Sequence, residues 1–502
     1  MMRNLQLSRI DRVALLLSLI AFFASYLVAD KVFERMPHIE DEMAYVWQAQ
    51  VLAQGKVMLP SPLDAKSFLV PFVVDYHGQR FGKYPLGWPL VLSFGVLLHA
   101  RDWVNPLLAG MGIWLTYLLG KKIFDERVAL LSAVLMATSP FFLMNSGSLL
   151  SHPWSLFLSL AFVLAWFDSF DSRNKLPAWL TVSVAGLSLG VLAMTRPLTA
   201  VGIGFPFFIH GLILLIRGDK STRIKILTIG LLAAFVAALV PLWQFAVTGD
   251  PMLNPYTLWW PYDKIGFGPG VGRQTGGNNL HWVLSSLQVS FTAGAKDFFG
   301  WGNFSFALLP FGLIALKRNW RSWLVASVFV SVVLAYTAYW IGADLYGPRY
   351  YYESFYSITL VCAAGFFWLA EGINKLRRIR KWTKISAAIL GIFLAGYNLV
   401  VYLPARFKSM TALYGIQSSM LKPFETQQAQ ELAPALIIVH PQKTWAEYGG
   451  LLELENANLN SPLIFALSYG PVLDGALARD YSDRNIYHYY ADQPEKFYLS
   501  PR

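Results

Sequence analysis

The chain is short of charge and short of cysteine. Of its 502 residues only 14% are Asp, Glu, Lys or Arg, where a soluble domain carries about a quarter. That shortage excludes an ordinary soluble enzyme. The lone cysteine, Cys362, excludes an internal disulfide and leaves the redox compartment unread. No set of Cys and His has metal-finger spacing, so no metal centre is expected on that ground. Gly266, Gly268, Gly270 and Gly272 alternate, yet no Lys-Ser or Lys-Thr follows them. This excludes a phosphate-binding P-loop and leaves a lid-like loop. Neither a repeat of fixed period nor a low-complexity tract is visible. The first hydrophobic block has no small-residue cleavage site and is expected to act as a signal anchor.

What the chain does have is hydrophobic residues, 55% of the total, gathered in nearly uncharged blocks of roughly 15 to 22 residues, long enough to cross a bilayer as helices. The expected fold class is therefore a polytopic α-helical membrane protein. A net charge of +11 invites a nucleic-acid partner, but the distribution argues for a bilayer instead. Eleven spans are expected: 13–28, 105–119, 128–144, 153–167, 177–194, 198–216, 226–247, 303–316, 323–341, 355–370 and 385–401. This assignment places 21 of the 41 basic residues in the N-terminal tail and five short links. They are Arg3, Arg9 and Arg12; Lys121, Lys122 and Arg127; Arg173 and Lys175; Arg217, Lys220, Arg223 and Lys225; Lys317, Arg318 and Arg321; and Lys375, Arg377, Arg378, Arg380, Lys381 and Lys384. By the positive-inside rule the N-terminus is then cytoplasmic and the C-terminus outside. Two long outer loops result, 30–104 and 248–302. Within the first, 85–98 is apolar but broken by Pro89 and Gly95, and reads as a surface or re-entrant helix rather than a span.

After Pro404 the composition turns polar and mixed in charge. Segments 435–439, 462–466, 486–490 and 497–499 are expected strands, and 445–454 and 472–479 expected helices. The division is a transmembrane domain, 1–404, and a small extracytoplasmic α/β domain, 405–502.

Chemistry gathers at the outer face. Glu40, Asp41 and Glu42 open a short amphipathic helix that runs to Gly55. Lys83, in Lys83-Tyr84-Pro85, suits a lipid phosphate at headgroup level; ordinary snorkelling is the alternative. Arg196 and Arg349 break the positive-inside trend and face outward, as a phosphate-binding pair would. Pairing of these two arginines with Glu353, Asp344 or lipid headgroups is the structural alternative. His152 is a candidate proton acceptor, or else simply the start of a helix capped by Ser151 with Pro153 in its first turn. Tyr256, Trp259, Trp260 and Tyr262 suit sugar stacking or an interfacial belt.

These stretches carry a resemblance. Glu40-Asp41-Glu42-Met43-Ala44-Tyr45, Ala49-Gln50-Val51-Leu52-Ala53-Gln54-Gly55, Lys83-Tyr84-Pro85-Leu86-Gly87-Trp88-Pro89 and Tyr117-Leu118-Leu119-Gly120-Lys121-Lys122-Ile123-Phe124 resemble the opening of the GT-C membrane glycosyltransferases, in the branch of protein O-mannosyltransferases and aminoarabinose transferases. The likeness covers roughly residues 10 to 200 by motif and the remainder by layout. It implies a GT-C fold and an inverting transfer of a sugar from a polyprenyl-phosphate donor, on the outer face of a bacterial inner membrane, to a glycan, lipid or protein acceptor. It implies Asp41 as the general base or as the group that orients the acceptor nucleophile, with Glu42 beside it, and Lys83 as a phosphate contact in a Lys-Tyr-Pro variant of the family motif. Arg196 and Arg349 join Lys83 as expected donor-phosphate ligands. Tyr45, Tyr84, Trp88, Tyr350 and Glu353 are the expected substrate contacts. The second acid that many relatives carry between the third and fourth spans is missing. Leu150-Ser151-His152-Pro153 stands there, which makes His152 the candidate replacement. No cofactor is expected, with Asp41 and Glu42 the one place for a divalent cation. The rival class, a transporter or flippase of lipid-linked sugars or polysaccharide, calls for ionisable residues deep in the spans and inverted repeats, and neither is seen.

Overall fold

The computed structural model describes residues 7–174, 176–316, 319–374 and 380–502. Of the basic residues that set the expected orientation, Arg3, Lys175, Lys317, Arg318, Lys375, Arg377 and Arg378 lie outside the described residues.

Each expected span overlaps helix, although the eighth, 303–316, does so mainly over the seven residues Leu309–Ala315. Among the described residues six helices are long and apolar enough to cross a bilayer, or eight when each of two bent pairs counts as one. The bent pairs are Glu126–Ala137 with Pro140–Gly147, at 60°, and Leu280–Asp297 with Gly302–Ala315, at 108°. The first bend has a local cause. Ser139 ends one helix and caps the next, accepting from the Phe142 N–H, and Pro140 takes the first helical position, where a missing N–H costs nothing.

Three boundaries differ from the sequence reading. The stretch 248–302 is not simply a loop: Leu280–Asp297 is an 18-residue helix capped by Asn279. Its polar residues Ser285, Ser286, Gln288 and Ser290 dilute an apolar face, so no continuous hydrophobic run marks it. Conversely the ninth expected span, 323–341, stops early, because the helix Trp320–Tyr336 ends and Tyr339 bridges back to Ile265. The expected division at residue 404 falls inside a helical stretch, with Pro404 in the first turn of Leu403–Met410. Arg406 of that helix pairs with Asp297, to which Tyr402 also donates at 2.6 Å.

The first outer loop is more ordered than its polarity suggests. Strands β1 (Leu59–Pro60), β2 (Val73–Tyr76) and β3 (Gln79–Gly82) form an antiparallel sheet in the order β1-β3-β2. His77 and Gly78 link β2 to β3, both at positive φ (52° and 73°). A two-residue turn of this hand matches the twist of its strands. The helix Glu40–Ala53 packs on β3 so closely that a Cβ on Gly82 would meet Gln48 at 2.2 Å. The apolar segment after it becomes the 11-residue helix Gly87–Leu97, too short to span.

The C-terminal strands β4 (Ala435–Val439), β5 (Leu463–Leu467), β6 (Asn485–Tyr489) and β7 (Phe497–Tyr498) make one sheet in the order β5-β4-β6-β7, parallel except for β7. Its apolar face shares a core with Met43, Trp47 and Val51 of the helix Glu40–Ala53 and with Leu59, Val70 and Val73 of the first loop.

Candidate active site

The hairpin β2–β3 delivers the first half of the site. The Lys83 N–H donates to the Phe72 carbonyl and extends the ladder one step past β3. Gln48 donates to the Tyr84 carbonyl at 2.8 Å. These two bonds fix Lys83-Tyr84 against the start of the helix that carries Asp41. The second half comes from the turn at Arg196, between the helices Ala178–Thr195 and Pro197–Arg217, and from the single-turn stretch Arg349–Ser354 that follows Gly347-Pro348. Between the two halves lies a cavity of about 460 Å³, lined among others by Asp41, Lys83, Tyr84, Arg196, Asp263 and Arg349.

Asp41 is at its centre. Its carboxylate accepts from the Tyr84 hydroxyl at 2.5 Å and from Arg349 Nη2 at 3.3 Å, and the side chain keeps 23% of its exposure. Burial pushes its pKa up, but the charge of Arg349, the Tyr84 bond and the charges of Lys83 and Arg196 outweigh it and hold the carboxyl below its ordinary value. The group is an ionised base, presented to a cavity. Arg349 Nη1 is itself buried, and the guanidinium lies against the Tyr350 ring at 5.5 Å.

Lys83 is more enclosed than snorkelling allows. Its Nζ is 3.1 Å from Asp263 Oδ2, with the two side chains 3% and 1% exposed. Aromatic rings box it in: Phe72 at 3.6 Å, Tyr256 at 4.8 Å and Trp260 at 4.9 Å. Burial lowers its pKa, opposed by the charges of Asp263 and Asp41. Asp263 is held in turn by Trp340 Nε1 at 3.0 Å and the Tyr339 hydroxyl at 3.2 Å. Arg273, over the Trp260 ring at 4.6 Å, also lines the cavity.

Arg196 spans the floor. It reaches Glu353 at 3.1 Å, the Tyr336 hydroxyl at 2.9 Å and the Ser151 hydroxyl at 3.3 Å. Tyr45 meets the same Ser151 at 3.3 Å. Tyr350 stacks on Tyr336 and lies under Arg196. Tyr45, Tyr84 and Tyr350 thus line the cavity as expected of substrate contacts.

Four expected site residues are not at the cavity. Glu42 is 1% exposed. One of its oxygens accepts from the backbone N–H groups of His38 and Ile39, at 2.8 and 3.2 Å, and the other from Leu149 at 2.8 Å. It is the third helical residue reaching back over its own N-terminus while also pinning a distant turn. Burial raises its pKa against those bonds. Asp41 and Glu42 therefore hold separate sets of partners, and Arg349 beside Asp41 disfavours a dication shared between them. Trp88 is 1% exposed and donates to the Leu149 carbonyl at 3.0 Å, serving that same turn. His152 and Glu353 form a buried pair at 2.9 Å, with Glu353 also holding Arg196. These two orient the arginine from beneath and do not touch the open space.

Sequence reading missed Asp263, Tyr336, Tyr339 and Trp340. The last three were counted in a membrane span. Asp263 had one local signal, an acid directly after the aromatic run Trp259-Trp260-Pro261-Tyr262.

A family model of dolichyl-phosphate-mannose-protein mannosyltransferases matches residues 90–243. That segment holds Arg196 and His152 but begins after the acidic motif and the lysine turn. A curated undecaprenyl phosphate-alpha-4-amino-4-deoxy-L-arabinose arabinosyl transferase of Pseudomonas fluorescens is 28% identical over 186 residues, which is 34% of this chain and 31% of the relative. The match thus spans about a third of the length of that relative. Among solved structures, ArnT from Cupriavidus metallidurans bound to undecaprenyl phosphate aligns over 96% of this chain and 90% of its own, with a TM-score of 0.57 and 13% identity. The oligosaccharyltransferase of Archaeoglobus fulgidus aligns over 89% of this chain and 64% of its own, with a TM-score of 0.50 and 14% identity. By its architecture the chain therefore carries the GT-C fold that these two structures share.

Proposed function

We propose that the chain is an inverting glycosyltransferase of the membrane, moving a sugar from a polyprenyl-phosphate donor to an acceptor on the extracytoplasmic face. The observation that carries this reading is Asp41, an ionised carboxylate paired with Arg349 in a cavity that also holds Lys83 and Arg196. A metal-free transfer needs these parts. The acceptor's O–H or N–H must lose a proton as its heteroatom bonds the anomeric carbon, and Asp41 is the group to take it. The bond from that carbon to the phosphate oxygen breaks on the opposite side, which inverts the configuration. The departing lipid monophosphate carries its charge away, and the Arg349 guanidinium with the Lys83 ammonium offsets it. Tyr84, Tyr256 and Trp260 provide aromatic faces for the sugar ring.

The topology belongs to the same proposal: eleven spans, N-terminus in and C-terminal sheet outside, in a bacterial inner membrane. The acceptor class, whether protein, glycolipid or cell-wall polymer, follows from experiment. Mass spectrometry of glycans and lipids from cells with and without the protein identifies the product. Purified protein in liposomes should then release polyprenyl monophosphate from the matching donor. A transporter would instead change the leaflet of a lipid-linked sugar and leave its glycosidic bond intact. That outcome would sink the reading.

A further inference from the structure

The C-terminal sheet brings together three residues that the chain holds far apart. His440 follows β4 directly, His488 lies within β6, and Asp474 lies in the helix Pro471–Asp480 that follows β5. In the parallel pairing His488 sits opposite Ile438, so His440 is two residues beyond it, toward the carboxyl edge. The ladder continues there, with the His440 N–H donating to the Tyr489 carbonyl at 2.9 Å. His440 Nε2 and His488 Nδ1 stand 2.8 Å apart. The side-chain ligand atoms of His440, Asp474 and His488 all lie within 4.8 Å of one another, and among the described residues this is the one such group of three.

We propose that His440, Asp474 and His488 bind a borderline transition-metal dication of the zinc type. The ligand set suits it: two imidazoles and one carboxylate are a common three-residue site with a further position open. The supporting shell is in place. Asp474 accepts from the Ser468 hydroxyl at 2.6 Å and the Tyr469 N–H at 3.2 Å, which fixes its orientation. Tyr490 stacks on the His440 ring at 4.6 Å and 11°. Asp474 is 3% exposed and His488 6%, while His440 is only partly buried and offers the way in.

Topology supplies an independent argument. The chain leaves β4 to form β5 on one side and later returns to place β6 on the other. Loops after β4 and β6 therefore diverge at the carboxyl edge, and open parallel sheets bind ligands at such a reversal point. His440 and His488 flank that point. Two nitrogens sharing a metal at about 2.0–2.1 Å each would sit roughly 3.3 Å apart in tetrahedral geometry. The present 2.8 Å opens to that by a small rotation of the partly exposed His440 ring, the shared proton moving to the other nitrogen of its own imidazole. The inference does not rest on the transfer reaction and survives its failure.

The test uses the full chain, purified in detergent with a tag that contains no histidine and stripped with chelator. Titration with Zn²⁺ by calorimetry should give one equivalent, and Co²⁺ should give visible d–d absorption displaced by Zn²⁺. His440→Ala and Asp474→Asn should each weaken binding at least tenfold while circular dichroism stays unchanged. His440 is partly exposed, so its variant folds even where the others do not. Wild-type protein that binds neither metal at micromolar concentration, or a folded His440→Ala that binds as wild type does, overturns the proposal.

Discussion

Replacing Asp41 by Asn tests the site most directly, because it changes one charge and no volume. The Tyr84 hydroxyl can still donate to the remaining carbonyl oxygen. The new amide, however, turns a donor toward Arg349 Nη2, which now stands 3.3 Å from an acceptor. Breaking a fully buried ion pair costs about 3–5 kcal/mol. Here the side chains keep 23% and 17% of their exposure to the cavity, and solvent screening reduces the expected loss of stability to about 1–2 kcal/mol. Loss of a general base costs about 10²–10⁴ in rate, or about 3–5 kcal/mol of barrier. Chemistry should therefore suffer far more than folding. The assay is release of polyprenyl monophosphate from donor in liposomes at saturating acceptor, with thermal unfolding followed in parallel. Because the Asp41 carboxyl is held below its ordinary value, the acid limb of the wild-type profile should lie below about pH 4. A variant that folds and keeps more than about a tenth of wild-type turnover would remove Asp41 from the chemistry.

Arg349→Ala should raise the KM for donor at least tenfold, since it removes a cation from the cavity wall, and unchanged donor affinity would make that arginine structural. Asp263→Asn leaves Lys83 buried without its partner and should destabilise the protein by about 3 kcal/mol; adding Lys83→Met should restore the thermal midpoint but not donor binding. Glu42→Ala strips acceptors from the N–H groups of His38, Ile39 and Leu149 and should cost about 3 kcal/mol, with the KM of the protein that still folds unchanged. In the C-terminal sheet, burial pushes Glu455 up from 4.5 to about 7 against the bond its carboxylate accepts from the Phe465 N–H. The folded state then binds more protons than the unfolded one between those values, so stability falls as pH rises from 4.5 to 7, by about 3 kcal/mol at most. Glu455→Gln should flatten that slope in thermal melts, and an unchanged slope would refute the assignment.

The membrane class and the position of the helical blocks were legible because each rests on local composition. Long apolar runs cannot stay in water. The strands β4 to β7 were legible for the same reason, as short runs bounded by turn residues. Pairing was not legible. Glu42 stands next to Asp41 in sequence, yet adjacent helical residues point about 100° apart. One carboxylate reaches a cavity while the other closes its own helix start and a turn more than a hundred residues away. His152 looked like the spare acid–base group because the sequence does not show Glu353 beneath it. Asp263 and Trp340 met Lys83 only after two distant loops folded together, and His440, Asp474 and His488 met only through strand order. Composition and periodicity act within a turn or a block of the chain. Which buried charge has a partner, and which is left to face a ligand, is set by contacts between residues that no local pattern links, and only the tertiary structure decides it.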